Sequence, residues 1–414
     1  MTIYVEGLFF LTAGRRKVID MRRVEVDSNC ELRKFVVPEI ISGINAGLLI
    51  GRYIGHFGAK NPMIVTDKGV RSIKWFQDLE KEISGLVQSY VIYDDVTPNP
   101  KDREAMAGAN LFLSRKCDLI IAIGGGSPMD CAKCISIVST NGGHILDYEG
   151  VDEIQLPGPP LICIPTTAGT SADVSQFAII LDTEQNLKRA IISKKAVPDL
   201  ALIDPIPLME MDFYLTACTG MDALTHAIEA YVSNAQSLLT DTQALAAISI
   251  IIENIEKAVS ENRTIDTMFK MMTGSIEAGL AFSNASLGAV HAMSHSLGGL
   301  YDLPHGECNS ILLSHIIDYN FDAVPQRYRK IAETMGIATE GITNSGVKNR
   351  LIDRINSTLE LIGIRPYLTL QNGEADLDRL AENALNDPCM VTNPRALSKG
   401  EVKSIYERVI RFEG

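Results

Sequence analysis

Apolar residues in the first half of the chain gather in short continuous runs; in the second half they recur every three or four positions. The runs at 62–67, 89–93, 117–123 and 161–164 read as strands, the first of them ending in a turn at Asp67. The intervening stretches 101–116 and 127–139 read as amphipathic helices. Strands that are apolar throughout and alternate with helices imply a parallel sheet covered on both faces. Beyond Asp204-Pro205 the strand pattern nearly vanishes. Ala244, Leu245, Ile248, Ile251, Ile252 and Ile255 fall at helical spacing, which predicts a helix over 240–259. Segments 214–233, 264–300 and 309–320 and the tail from 376 also read as helices, with breaks at Pro388 and Pro394. The expectation is an α/β domain with a parallel, Rossmann-like sheet over 31–205, followed by an all-α domain over 206–414. Residues 1–30 read as an N-terminal extension of no recognisable role, and Met21 near its end leaves room for a later start.

Composition narrows the partners. The 414 residues carry 38 Lys+Arg against 51 Asp+Glu, so 38 − 51 = −13, with 46% hydrophobic and 21% charged residues. Those proportions are ordinary for a globular protein and exclude global disorder. The acidic balance argues against nucleic acid or an anionic membrane, because both require a basic footprint. Eight scattered cysteines, several inside apolar segments, fit reduced thiols in a cytoplasmic protein rather than a disulfide framework. Cys131-x-x-Cys134 has redox-motif spacing but no second pair to complete a zinc ribbon, so helix packing is the simpler reading. The apolar run 7–11 precedes Arg15-Arg16-Lys17, the reverse of a secretory signal. No apolar stretch reads as long enough to span a bilayer.

Two places carry chemistry. The strand 117–123 runs into Gly124-Gly125-Gly126-Ser127-Pro128-Met129-Asp130. Glycines let backbone approach a phosphate, Ser127 can cap the next helix, and Pro128 then sits at its first position. The free N–H groups of that helix start suit an anion. The pattern is neither GxGxxG nor a P-loop, and a bare GGGS can also be a simple turn; the strand before it and the helix after it favour binding. Asp67, at a strand end, can accept from ribose hydroxyls, which favours NAD over NADP, or it can cap the following turn. The loop Pro165-Thr166-Thr167-Ala168-Gly169-Thr170-Ser171 can bond a pyrophosphate or a nicotinamide, or be a polar turn.

The second place lies in the helical half. Asp222 and His226 are four apart, as are His291 and His295, and His305 follows just after Pro304. Residues four apart share a helix face. One carboxylate with several imidazoles suits a divalent first-row ion such as Fe(II) or Zn(II). It is not the HExxH pattern, because Ala292 follows His291, and it is not an all-oxygen calcium site. A dinucleotide beside a metal suits hydride transfer, with the metal polarising the substrate oxygen.

At this point the sequence resembles the iron-containing (group III) alcohol dehydrogenases, from about residue 34 to the C-terminus. The resemblance rests on Gly124-Gly125-Gly126-Ser127-Pro128-Met129-Asp130-Cys131-Ala132-Lys133, on Pro165-Thr166-Thr167-Ala168-Gly169-Thr170, on Gly220-Met221-Asp222-Ala223-Leu224-Thr225-His226-Ala227-Ile228-Glu229-Ala230-Tyr231, and on the stretch from His291 through Gly306. It implies a nucleotide-binding α/β domain, a helical metal domain, and NAD-linked interconversion of a primary alcohol and its aldehyde. The metal ligands implied are Asp222, His226, His291 and His305, with Fe(II) the first candidate and Zn(II) the second. His295 matches a histidine near the nicotinamide that is not a ligand and is suited to a proton relay. The implied cofactor contacts are Asp67, Asn99, Gly125, Gly126, Ser127, Asp130, Thr166, Thr167, Thr170 and Lys188; Lys188 lies in a hairpin-like run where a solvated lysine is an equal alternative. A homodimer or larger assembly is also implied.

The chain departs from the family pattern at Ser171-Ala172-Asp173, where Gly and then Ser-Glu are usual, at Ser296, where Pro is common, and at Gly43-Ile44-Asn45-Ala46, where the turn is usually richer in glycine. No ligand is lost. Competing readings are a glycerol dehydrogenase-like polyol enzyme, which lacks the ligand supplied by His226, and a non-catalytic regulatory protein of the same fold.

Overall fold

The strands and helices that the pattern predicts appear as β2 (Pro62–Val65), β3 (Val91–Tyr93), α4 (Asp102–Arg115), β4 (Leu119–Gly124) and α5 (Gly126–Asn141), and the structure adds β1 (Glu39–Ser42), α1 (Ile50–His56), α2 (Lys68–Ser72) and α3 (Lys74–Leu86), for which the pattern gave no element. The structure, a computed structural model, describes residues 33–370 and 375–412, so the extension 1–30 lies outside the described residues. The chain continues through β5 (Gly150–Val151), β6 (Leu161–Pro165), β7 (Phe177–Asp182), β8 (Leu187–Ile192) and β9 (Leu200–Ile203). Six strands form one parallel sheet in the order β1-β9-β6-β4-β2-β3.

Every residue of β4 is buried, because alternate side chains enter two separate cores. Ile120 and Ala122 pack with Ala105, Ala109 and Ile135 of α4 and α5. Ile121 and Ile123 pack with Ile50, Phe76, Leu79 and Ile83 of α1 and α3. This explains the unbroken apolar run 119–123: a strand covered on both faces has no solvent side on which to place polar residues. At about 1.5–3 kcal/mol per buried aliphatic side chain, the two cores supply the main drive for this half.

The sequence pattern gave β7 and β8 only as a hairpin-like run around Lys188; they form an antiparallel hairpin with β5 alongside. Lys133 of α5 is fully buried, and its Nζ donates to the carbonyls of Ser175 (2.9 Å) and Phe177 (2.6 Å), which fastens α5 to the start of β7. Cys131 and Cys134 are free, buried thiols of α5, as the packing reading expects.

The helical half contains α6 (Phe213–Val232), α7 (Leu238–Ala258), α8 (Ile265–Ala285), α9 (Ala289–Tyr301), α10 (His305–Asn320), α11 (Pro325–Thr334), α12 (Asn344–Leu361), α13 (Leu377–Asn386) and α14 (Lys399–Val409). Two features differ from the sequence reading. The single helix expected over 264–300 is two, because Ser286 takes a left-handed φ of 59° and ends α8 before Gly288 begins the next turn. A short parallel pair, β10 (Leu368–Leu370) with β11 (Ile410–Phe412), also lies in this half. In addition, α7 is long and apolar enough to cross a bilayer by length and composition, contrary to the sequence reading. It is a core helix here: Ala244, Ala247, Ile248, Ile251 and Ile255 are wholly buried, and it packs between α6 and α8.

The threonine loop after β6 lies directly on α6. A Cβ added at Gly169 would come within 2.7–2.9 Å of the Cβ, carbonyl and Cα of Thr219, mostly backbone that cannot yield. We expect Gly169→Ala to cost about 1–3 kcal/mol through overpacking. Paired urea melts and NAD titrations test this; a variant with wild-type stability and NAD affinity would contradict the close fit.

Candidate active site

The glycine and threonine loops are built for close approach. Gly124 has φ of 151°, and a Cβ there would meet the Pro128 ring at 2.7 Å. A Cβ on Gly125 would come within 3.2 Å of Thr167, and one on Gly126 within 2.8 Å of Thr170. Glycine is therefore needed for the two loops to lie against each other. The backbone turn at Gly124 lets α5 start at Gly126, one residue earlier than expected. Ser127 thus lies inside the first turn and makes no cap, which corrects its expected role; Pro128 still falls where a helix N–H has no partner. Gly125, Gly126, Ser127 and Pro128 of this first turn line a cleft of about 780 Å³.

That cleft gathers most of the expected cofactor contacts: Asp67, Asn99, Gly125, Gly126, Ser127, Thr166, Thr167 and Thr170 all line it. Asp67 fulfils its capping reading, since its Oδ1 accepts from Val70 N–H at 2.8 Å at the start of α2, and it lines the cleft as well. Asn99, at φ 52°, donates from Nδ2 to Asp302 Oδ1 at 2.6 Å, a bond that joins the sheet half to the end of α9. Asp130 and Lys188 line a smaller inner cavity of about 110 Å³. Burial pushes the Asp130 carboxyl up to about 6, held back by the Lys133 ammonium and by the Ile179 N–H that its Oδ2 accepts. Lys188 is not a solvated surface lysine. It reaches into the cavity beside Gly298, and burial lowers its ammonium pKa against the opposing pull of Asp222, Asp130 and Asp302.

Asp222, His226, His291 and His305 converge from α6, α9 and α10 on the same inner cavity. From Asp222 Oδ1 the imidazole Nε2 atoms lie 3.9 Å (His226), 3.7 Å (His291) and 3.9 Å (His305) away. Ligand atoms of a tetrahedral ion with bonds of about 2.1 Å are about 3.4 Å apart, so each of these three distances is close to what an ion needs; Asp222, His226 and His291 form the tight trio, and His305 joins it through Asp222. One oxygen and three nitrogens suit a divalent first-row ion. Asn309, whose Nδ2 reaches this set, leaves its Oδ1 buried with no hydrogen-bond partner. Burial opposes the charge of Asp222, yet His226, His291 and His305 together hold its carboxyl far below the usual range. Burial also drives His226 down to about 3 and His305 well down, so both are neutral and able to ligate near neutral pH. Burial pulls His291 down, but its hydrogen bonds to the carboxylates of Asp222 and Glu229 outweigh that and raise it to about 9.

The orienting residues were not identified from sequence. Glu229 Oε2 lies 2.6 Å from His291 Nδ1, and the same carboxylate accepts from Gly288 and Val290 N–H at the start of α9. With Nδ1–H given to Glu229, Nε2 of His291 is the nitrogen turned toward Asp222, and it must shed its proton before it can ligate. Ser294 Oγ stands 3.0 Å from His305 Nδ1. Asn309 Nδ2 donates to Asp222 Oδ1 at 2.6 Å and lies 3.1 Å and 3.2 Å from Nε2 of His291 and His305. Helical spacing carried part of this signal: Glu229 is seven residues after Asp222 and Asn309 four after His305. His295 lies one turn beyond His291, stacks on His305 with ring centroids 5.2 Å apart, and lines the cavity outside the ligand set.

The departures from the family pattern each have local compensation. Ser171 takes φ of 52° and its Oγ donates to Ser275 carbonyl at 2.6 Å. Ser296 Oγ donates to Leu380 carbonyl at 2.9 Å, which ties α9 to α13. Asn45, at φ 66°, donates its N–H to Asp204.

A fold of this kind, with a metal cluster opening on a dinucleotide-type cleft, defines a metal-dependent oxidoreductase. The chain belongs to the iron-containing alcohol dehydrogenase family. The family model "Iron-containing alcohol dehydrogenase" matches residues 38–205, and "Fe-containing alcohol dehydrogenase family, C-terminal" matches 216–410. The chain is 38% identical over 379 residues to a 1,3-propanediol dehydrogenase of Citrobacter freundii, covering 90% of this chain and 98% of that protein. It is 35% identical over 377 residues to an NAD-dependent methanol dehydrogenase of Bacillus methanolicus, covering 91% and 99%. The crystal structure of a 1,3-propanediol oxidoreductase superimposes with a TM-score of 0.87 at 36% identity, covering 91% of this chain and 100% of that one. The chain is an enzyme of alcohol–aldehyde interconversion, in a family that uses NAD and an iron-type metal. The polyol-enzyme and non-catalytic readings are not favoured.

Glu229→Gln keeps the shape but removes the carboxylate that fixes His291. We expect metal affinity to fall about 10–100-fold. Competition with a chelator measures it, and an unchanged affinity would remove Glu229 from this role.

Proposed function

We propose that the enzyme oxidises a small primary alcohol with NAD, or reduces the aldehyde with NADH, using Asp222, His226, His291 and His305 to hold Fe(II), with Zn(II) as the alternative ion. The observation that carries this reading is the continuity of the two sites: Asp222 and His305 line the same cleft as Gly126 and Thr170. When bound, NAD(H) exchanges the hydride and the divalent ion acts as a Lewis acid on the substrate oxygen.

The chain's own groups do the rest. The first-turn N–H groups of α5 and the hydroxyls of Thr166, Thr167 and Thr170 face the pyrophosphate. Asp67 accepts from the adenosine ribose, and a carboxylate there repels a 2′-phosphate, which favours NAD. Lys188 places the only cation named among these contacts beside Asp130 in the inner cavity. Phe177, Ile179 and Phe282 line that cavity and exclude water, and its size of about 110 Å³ suits a short-chain substrate. His295 takes the hydroxyl proton in oxidation and returns it in reduction. In this reading residues 31–205 form the nucleotide domain and 206–414 the metal and substrate domain. The reduced thiols support a cytoplasmic enzyme. Among the described residues the outer edge of β1 has no partner strand besides β9, which supports assembly into a homodimer or larger oligomer.

The test is protein purified without oxygen, assayed for metal content and for NADH formation with a panel of short alcohols. Bound metal with no NADH from any alcohol, and no NADH consumption with the aldehydes, would overturn the reading. We expect His305→Ala to abolish turnover while NAD affinity stays within about twofold, since ligand and phosphate loop lie on separate elements. Joint loss of both would contradict the division of labour.

A further inference from the structure

Asp387 lies 92 residues from His295 in sequence, yet its Oδ2 is 2.8 Å from His295 Nδ1. Both side chains are almost wholly buried, at 6% (His295) and 7% (Asp387) exposure. The second carboxylate oxygen is also committed: Oδ1 accepts from Cys389 N–H at 2.8 Å, where Asp387 caps the short 3-10 turn Pro388–Thr392. The carboxylate is thus held by the backbone of one turn and faces the imidazole with its remaining oxygen. His295, Asp387 and Cys389 are close enough to resemble a second metal trio. Both carboxylate oxygens already receive N–H donors, so hydrogen bonding accounts for the arrangement without an ion.

The consequence falls on the imidazole. A carboxylate can only accept at Nδ1, so that nitrogen carries the hydrogen and Nε2 carries the lone pair. His295 lines the inner cavity with all four metal-ligand residues. We propose that Asp387 is a positioning residue that fixes the tautomer and ring orientation of His295, so that Nε2 is the atom that exchanges the substrate's hydroxyl proton. This rests on the relay reading of His295 given above. In oxidation the substrate O–H proton passes to Nε2, the hydride leaves carbon for the nicotinamide, and the imidazolium keeps its Nδ1–H bond to Asp387 until the proton is released to water. Asp387 remains a carboxylate throughout.

Asp387→Asn is the informative change. An amide has one acceptor oxygen for two N–H donors, so when it serves Cys389 it turns its NH2 toward His295 and favours the wrong tautomer. The experiment compares wild type, His295→Ala, Asp387→Asn and the double variant, all loaded with metal, using the alcohol that gives the fastest NADH formation. We expect each single variant to lower kcat about 100-fold, with NAD affinity and metal content unchanged. We expect the double variant to match His295→Ala, because Asp387 then has nothing to orient. A multiplicative loss in the double variant, or a near wild-type kcat for Asp387→Asn beside a deficient His295→Ala, overturns the proposal and leaves the relay standing. A near wild-type kcat for His295→Ala overturns the relay itself. If Asp387→Asn does not fold, Asp387→Ser carries the same comparison, since its hydroxyl can still accept from Cys389.

Discussion

A single buried carboxylate governs the design. Asp222 is 1% exposed in the middle of α6. An uncompensated charge there would cost several kcal/mol. It is compensated by imidazoles from three helices, so α6, α9 and α10 must meet at one point, and the helical half is built around that meeting. The ends of these helices show the constraint as well. Glu229 serves the first turn of α9 and His291 with the same two oxygens. A Cβ added at Gly306, the second residue of α10, would lie 2.5 Å from the Cys218 carbonyl of α6. The donor set is as much a packing solution as a chemical one.

The parallel sheet solves the matching problem for the cofactor. Its strands end in the Gly124 turn and in the threonine loop, and the loops approach each other only because Gly125 and Gly126 have no side chains. The net charge of −13 makes any field that favours an anionic dinucleotide a local one. In the proposed reading the start of α5 and the half-buried Lys188 supply it. The hairpin β7–β8 brings Lys188 to the metal cavity and also supplies Phe177 and Ile179 to its wall, so one structural unit contributes charge and shape together.

How much was legible depended on the range of the interaction. The strands within 62–67, 117–123 and 161–164 could be read because burial on both faces leaves apolar runs at 62–65, 119–123 and 161–164. The pairs Asp222–His226 and His291–His295 could be read because a helix places residues four apart on one face. The hairpin was half-legible: strands as mixed in burial as β8 leave no clean run. The break at Ser286 was hidden because a left-handed serine looks like any other serine in sequence. The length test on α7 shows the converse limit, since composition does not distinguish a core helix from a spanning one.

The sequence alone determined the order of the two halves, the glycine loop, and which residue types would hold a metal, because each is set by local spacing and by the chemistry of the side chain. Only the tertiary structure decided that Asn99 bonds Asp302 between the halves, that Lys188 points inward, and that Asp387 closes on His295. These contacts span 203 and 92 residues in the two hydrogen-bonded cases. No periodicity extends that far, because such pairs are chosen by how whole elements pack rather than by the turn of any one of them.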